Sequence, residues 1–359
     1  MNRFAFLLWL ALAIPVRAEE PVTPRPGTTD VFRQFANILD VLQKHYIDPV
    51  QIRLDDSATV AFRAFVRSLD PEADLLTPEE YAAAKNPAIS LPVSTARRDE
   101  RTIVVAPRDG TAAQKAGVFA GDEVIQSTGS VFIVRELESE RVTIVSNDQV
   151  VAGPVEVRAL QPGILYCRLA GITDAGAKQL REQLLHSKKG QRLILDLRNN
   201  PGGSFDATLQ YARLFLPVEA RIVALDYARP EQRVGFVSDS SQKFTGPITL
   251  LINGGTAAEA EILVAALRDN GRALHVGSRT FGRGWHYELF ALLNGSALKI
   301  PTSRYLTPSK QTFQGTGLTP DFPVEVSHDA ERNLARAGFG VANKTNDAAL
   351  ARAMQLLSR

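Results

Sequence analysis

Two short stretches hold residues that could take part in chemistry. The first is Asn199-Asn200-Pro201-Gly202-Gly203, between an apolar run and a helical pattern. Read by themselves, these five residues suit a tight strand-to-helix turn. The second stretch is residues 253–288, NGGTAAEAEILVAALRDNGRALHVGSRTFGRGWHYE. Thr256 offers a hydroxyl in the loop before a helix, and Glu259, Glu261 and His286 are the nearby groups able to act as bases. A hydroxyl attacks a carbonyl only when a base takes its proton. Arg283 cannot be that base, because a guanidinium holds its proton to a pKa above about 12.

These stretches sit in an alternation of strands and helices. GILYCRLAGI reads as a strand, TDAGAKQLREQLLHSKKG as an amphipathic helix capped by Thr173 and stopped by Gly190, and RLILDLRNN as a second strand suited to a buried sheet. A helix is expected from about Asp206 to Phe215. Strands RIVAL and PITLLIN, helix AAEAEILVAALRD, strand ALHVG and the antiparallel-looking HYELFALLNGSALKIPTSRYLTP complete a layered α/β arrangement. Upstream, Phe32, Phe35, Ile38, Leu39, Leu42 and Tyr46 fall at helical spacing behind Asp30 as an N-cap. A second helix is expected at about Ser57 to Leu69, and a third starts at Thr77-Pro78-Glu79-Glu80.

The first residues, MNRFAFLLWLALAIPVRAEE, have a basic start, an apolar run and a small-residue site ending at Ala18. This is the pattern of a secretory signal peptide over 1–18, with an apolar run short of the roughly 20 residues that cross a bilayer. Its removal takes away Arg3 and Arg17, leaving 39 basic residues of 41 against 39 acidic ones. A neutral chain has no bulk field for nucleic acid or anionic membrane, and a soluble exported protein, periplasmic or secreted, is expected. The lone Cys167 allows no internal disulfide and lies in a strand-like setting. His45, His186, His275, His286 and His328 are scattered without ligand spacing, so neither a metal site nor a cofactor is expected.

Residues 110–129 resemble the middle of a PDZ domain, with strand, glycine turn, small helix, Gly-Asp turn and strand in that order. The strand-like SVFIVRELESERVTIVSNDQVVAGPVEVRAL follows where a PDZ domain has the second helix that walls its peptide groove. A wider resemblance rests on LILDLRNNPGGSFDATLQYARLFLP, FGRG, NGSALKIPTSRYLTPSKQTFQGTGLTPDFPVE, VLQKHYID and LDPEADLLTPEEY. These are similar to the carboxyl-terminal processing peptidases, the S41 serine proteases also called tail-specific proteases. The resemblance implies an α/β fold with a crotonase-like S41 core of ββα units at 161–345. It also implies an N-terminal helical segment at 28–90, a degenerate PDZ-like module at 91–160 and a C-terminal helix at 346–359.

In that family a serine and a lysine cut near substrate C-termini. The family run GSASASEI is GTAAEAEI here, which puts Ala258 at the nucleophile position; the FGKG lysine is Arg283 and the glutamine that orients it is Tyr287. A methyl group cannot attack a carbonyl, so no catalytic residue is intact, and Thr256 is the substitute candidate. The resemblance implies a remnant oxyanion and substrate pocket of Gly202, Gly203, Ala258, Glu259 and Trp285, with Glu261 a structural helix residue. Glu259 could pair with Arg283, and Trp285 and Tyr287 could fill the space that substrate once entered. The expected function is therefore that of a pseudoprotease binding protein or peptide C-terminal tails or an active protease partner. A peptidase using displaced residues near Thr256, or a binder of small apolar ligands in the remnant pocket, are the alternatives.

Overall fold

The computed structural model describes residues 28–47, 54–84, 93–98, 101–127, 131–136, 141–146, 155, 157–240, 242–340 and 347–358. The expected signal peptide at 1–18 lies outside the described residues. The chain divides into two compact units, residues 1–84 with 288–300, and residues 85–287 with 301–359.

In the first unit, α1 (Thr28–His45) and α2 (Leu54–Leu69) meet through Phe35 and Phe62, whose ring centroids are 5.9 Å apart. The first helix begins before Asp30, so this residue sits in its first turn, where a carboxylate favours the helix dipole, and does not cap it. Strand β1 (Asp74–Leu76) leads to α3 (Pro78–Ala84). The entry to α3 is a capping box: the Glu80 N–H donates to the Thr77 hydroxyl at 3.2 Å, and the Thr77 N–H to the Glu80 carboxylate at 2.8 Å. Arg63 and Arg67 of α2 both reach Asp74, at 2.9 and 2.7 Å, and tie the helix to this turn.

The second unit opens with an antiparallel sheet in the order β2 (Val93–Arg98), β3 (Arg101–Pro107), β4 (Glu123–Ser127), β5 (Val131–Arg135), β6 (Val142–Ser146). Helix α4 (Ala112–Ala116) is capped by Thr111 and ended by Gly117 at φ 84°, and the small core is Val93, Val104, Ala113, Val118, Val134 and Val145. Strands β5 and β6 lie where the sequence is strand-like.

The larger sheet follows. Its strands, β7 (Val157–Gln161), β8 (Ile164–Arg168), β9 (Arg192–Asp196), β12 (Ile248–Ile252), β13 (Ala273–Gly277) and β16 (Phe322–Pro323), stand in the order β16-β13-β12-β9-β8-β7, all parallel except β7. Between them run α5 (Asp174–Leu184), α6 (Phe205–Phe215), β10 (Arg221–Tyr227), β11 (Val234–Val237), α7 (Glu259–Asp269), β14 (Trp285–Ala291) and β15 (Ala297–Leu306). Thr173 caps α5 as expected, whereas the helix stops at Leu184, ahead of Gly190. Strand β15 pairs with β1 through residues 297–299 and with β10 through 303–306.

Every residue of β12, ITLLI, is buried because the sheet is covered on both faces. Ile248, Leu250 and Ile252 pack with residues of α5, α6 and α7, while Leu251 joins Ile164, Tyr166, Ile194 and Val276 under Ala349, Leu350, Ala353 and Leu357 of α9 (Ala348–Leu357). Each such side chain contributes about 1.5–3 kcal/mol by leaving water. Cys167 is fully buried in β8, and its thiol is pushed up by burial. Helix α9 is pinned at its start, since Asp347 caps it and takes both Arg198 guanidinium nitrogens at 2.9 and 2.8 Å. Helix α8 (His328–Ala337) bonds to the smaller sheet, its Arg332 holding Asp122 at 2.9 and 2.8 Å.

Candidate functional site

Strands β9, β12 and β13 are parallel neighbours, so the loops that follow them emerge at one edge of the sheet, where α/β folds gather ligand sites. Asn253, first after β12, locks two of these loops together. Its side-chain oxygen accepts the Asn199 and Gly255 N–H groups at 2.8 and 3.1 Å, and its amide nitrogen donates to Asn199 Oδ1 at 2.8 Å. The Ala257 N–H donates to the Asn200 carbonyl at 2.9 Å, and the Phe281 N–H, after β13, to the Thr256 carbonyl at 2.9 Å. Glycines are required at the 199–203 turn. A Cβ at Gly203 would lie 2.1 Å from the Ile172 carbonyl, and one at Gly202, where φ is 97°, would lie 2.5 Å from Glu259 Oε2.

At the head of α7, Ala258 has φ 51° and ψ −120°. This is a sharp strand-to-helix turn, and a residue with a side chain pays about 1–3 kcal/mol to hold it. What the turn presents is a methyl group. Having no side-chain acceptor, Ala258 leaves only the reciprocal half of a capping box, in which its own N–H donates to Glu261 at 2.9 Å. The expectation that the Ala258 amide serves an anion pocket is corrected accordingly, for Glu261 already uses it. Glu261 is fully buried and also accepts the Gly282 and Arg283 N–H groups at 2.8 Å each and the Thr280 hydroxyl at 2.5 Å. Burial pushes its carboxyl up to about 7 against the pull of these bonds. Its role is to fasten the 280–283 loop to α7.

Thr256 is 0% exposed; its hydroxyl donates to the Leu197 carbonyl at 2.8 Å and accepts the Asn253 N–H at 3.1 Å. The sequence places it as a substitute nucleophile, and the structure corrects this, because its hydroxyl is spent on closing the loop back to β9. Glu259 reaches from α7 to the 199–203 turn and to β15. Oε2 accepts the Gly203 N–H at 3.0 Å and Oε1 accepts the Tyr305 hydroxyl at 3.1 Å. His286 Nδ1 lies 2.9 Å from the same phenol. Burial, then the Glu259 charge, pushes the Tyr305 phenol up, while Arg283 is near enough to oppose this. Arg283, Trp285, His286 and Tyr287 are all half-buried, the last three on β14.

Ala258 itself is 7% exposed. It packs with Ala257 against Ala96 and Val105 of the smaller sheet, flanked by Ile103 and Phe281. Arg98 of β2 fixes this cover, donating to the Phe281 carbonyl at 2.6 Å with its guanidinium 4.1 Å from the centre of the Phe281 ring. Tyr305, Phe281, Ala96 and Val105 were not legible as site residues. They are remote in sequence and apolar or aromatic, so nothing in their type distinguishes them from ordinary core. Among the described residues no cluster of three or more His, Cys, Asp or Glu side chains could hold a metal ion, and no helix is long and apolar enough to cross a membrane.

Residues 163–324 match the family model for peptidase family S41. A carboxy-terminal-processing protease of Bartonella bacilliformis is 28% identical, over 89% of this chain and 81% of that protein. A carboxyl-terminal-processing protease of Synechocystis is 26% identical, over 82% of this chain and 81% of that one. Among solved structures, the photosystem II D1 C-terminal processing protease superposes with a TM-score of 0.66 at 23% identity, covering 85% of this chain and 96% of that chain. The last likeness establishes the fold.

Proposed function

Because residues 163–324 match the model of peptidase family S41, we propose that the chain is a proteolytically silent member of that family that, once exported, binds protein or peptide C-terminal tails. One observation carries the silence: the turn that should raise a nucleophile raises the Ala258 methyl, with Glu259 bonded to the neighbouring Gly203 amide. Arg283 at the base position cannot lose its proton near neutral pH. The tail as ligand is suggested by the relatives, which are named for processing carboxyl termini. In this reading the β2–β6 sheet is the degenerate PDZ-like module, and it packs over Ala257 and Ala258 beside the elbow. Residues 1–18 direct export and are removed. A peptidase built on Thr256 is disfavoured by the burial of that hydroxyl.

The test is incubation of the mature chain, residues 19–359, with casein, labelled tail peptides and a serine-directed phosphonate. No turnover and no labelling are expected. Turnover that survives purification to homogeneity and disappears in Thr256→Ala would overturn the reading. The combined changes A258S, E259S, R283K and Y287Q should restore measurable cleavage, because the turn that positions the nucleophile is already formed. Each change alone should restore none.

A further inference from the structure

We propose that Glu259 is an internal stopper: its carboxylate occupies the anion-accepting position at the elbow, and the free carboxylate of an incoming tail has to displace it. This rests on the tail-binding reading above. Gly203 is an exposed residue, so water could serve its N–H, yet that N–H points at Glu259 Oε2 at 3.0 Å. The second carboxylate oxygen is held by Tyr305 at 3.1 Å. Tyr305 is a rigid anchor, 1% exposed, with the Phe205 and Phe313 rings stacked at 6.1 and 6.3 Å and His286 Nδ1 against its hydroxyl.

The room for the stopper exists because residue 202 has no side chain; a Cβ there would come 2.5 Å from Glu259 Oε2. Glu259 is the first residue of an eleven-residue helix, so the helix dipole adds to its hold. The neighbouring Ala258 N–H is already committed to Glu261, which leaves the Gly203 N–H as the donor in contention. Two carboxylates cannot share one amide hydrogen and repel each other at that distance. Tail entry and Glu259 occupancy therefore exclude one another.

The experiment has two readouts on wild type, Glu259→Ala and the volume-conserving Glu259→Gln. Selective 15N-glycine labelling follows the hydrogen exchange of the Gly203 amide, and fluorescence anisotropy follows a short dansylated peptide with apolar last residues, ending either in a free carboxylate or in an amide. Slow Gly203 exchange is expected in the wild type and fast exchange in Glu259→Ala, with Glu259→Gln between them. The free-carboxylate peptide should bind Glu259→Ala at least tenfold tighter than wild type, and the amidated peptide should show no such gain. Fast Gly203 exchange in the wild type overturns the proposal, since the carboxylate is then not on the amide. Equal peptide affinity across all three proteins overturns it while leaving tail binding standing at another surface. Absence of binding by every protein overturns the tail-binding reading and this inference together.

Discussion

Two polar regions at the edge of the larger sheet are built in opposite ways. Behind β9, Asp196, Arg198 and Asp347 are 0, 2 and 3% exposed, and charge meets charge: Arg198 grips Asp196 at 2.6 Å and Asp347 at 2.8 Å, while Arg168 joins Asp196 to Asp109. At the elbow, Glu259 and Glu261 take their hydrogen bonds from amides, a phenol and a hydroxyl. The first arrangement ties strand, loop and helix together by ion pairs, and the second does so by neutral donors bonded to two carboxylates. The two clusters therefore differ in what satisfies their carboxylates: guanidinium groups behind β9, neutral donors at the head of α7.

The largest test of that contrast is removal of Arg198. Arg198→Met takes the guanidinium from buried Asp347, leaves Asp196 with the more distant Arg168 at 3.4 Å, and should lower stability by about 3–5 kcal/mol in urea melts. A loss below about 1 kcal/mol would mean that the cluster holds nothing together. Glu259→Gln at the elbow should change stability far less.

The second test uses pH. The folded His275 imidazole is brought down to about 4 by burial, from an ordinary value of 6.5. Its contribution is present above pH 6.5 and is lost as the pH falls toward 4, up to about 3 kcal/mol. Glu261, raised from 4.5 to about 7, acts in reverse: its share is present below pH 4.5 and is lost as the pH rises through 7. The two slopes oppose each other in the wild type, so His275→Leu should become relatively more stable than wild type as the pH drops from 7 to 4.5. Parallel profiles of urea midpoints for the two proteins would refute this.

The third test is Thr256→Val, which removes a donor to Leu197 and an acceptor for Asn253 and should cost about 1–3 kcal/mol. Peptide binding should be unaffected, because the hydroxyl does not face the pocket. The smallest expected effect is at the elbow itself. Ala258→Gly relieves a positive φ and should raise thermal stability by no more than about 1 kcal/mol, after the added freedom of glycine in the unfolded chain is subtracted. A fall in the melting temperature would show that the turn is not strained.

Much of the fold was legible because its cues are local. ITLLI, Thr173 as a cap and the helix before Phe215 all follow from patterns a few residues long. At the candidate site, residue types such as Ala258, Arg283 and Tyr287 can be read from the sequence, and the contacts made there cannot. The Gly203 amide that meets Glu259 is 56 residues away and the Tyr305 phenol 46, and no local pattern announces either. The helix limits at Thr28 and Leu54 slipped for a different reason: each helix runs upstream past the residue that its apolar spacing marks first.

Helix α9 has a consequence for synthesis. The ribosome completes every strand of the larger sheet by Pro323, and Ala348 emerges later. Until then Ile164, Tyr166, Ile194, Leu251 and Val276 lack the α9 part of their cover, and Arg198 lacks Asp347. A chain halted within that interval would carry an open apolar surface beside a half-neutralised cation, which marks it for chaperone capture or aggregation. The last helix is thus the piece that closes the second face of the larger sheet.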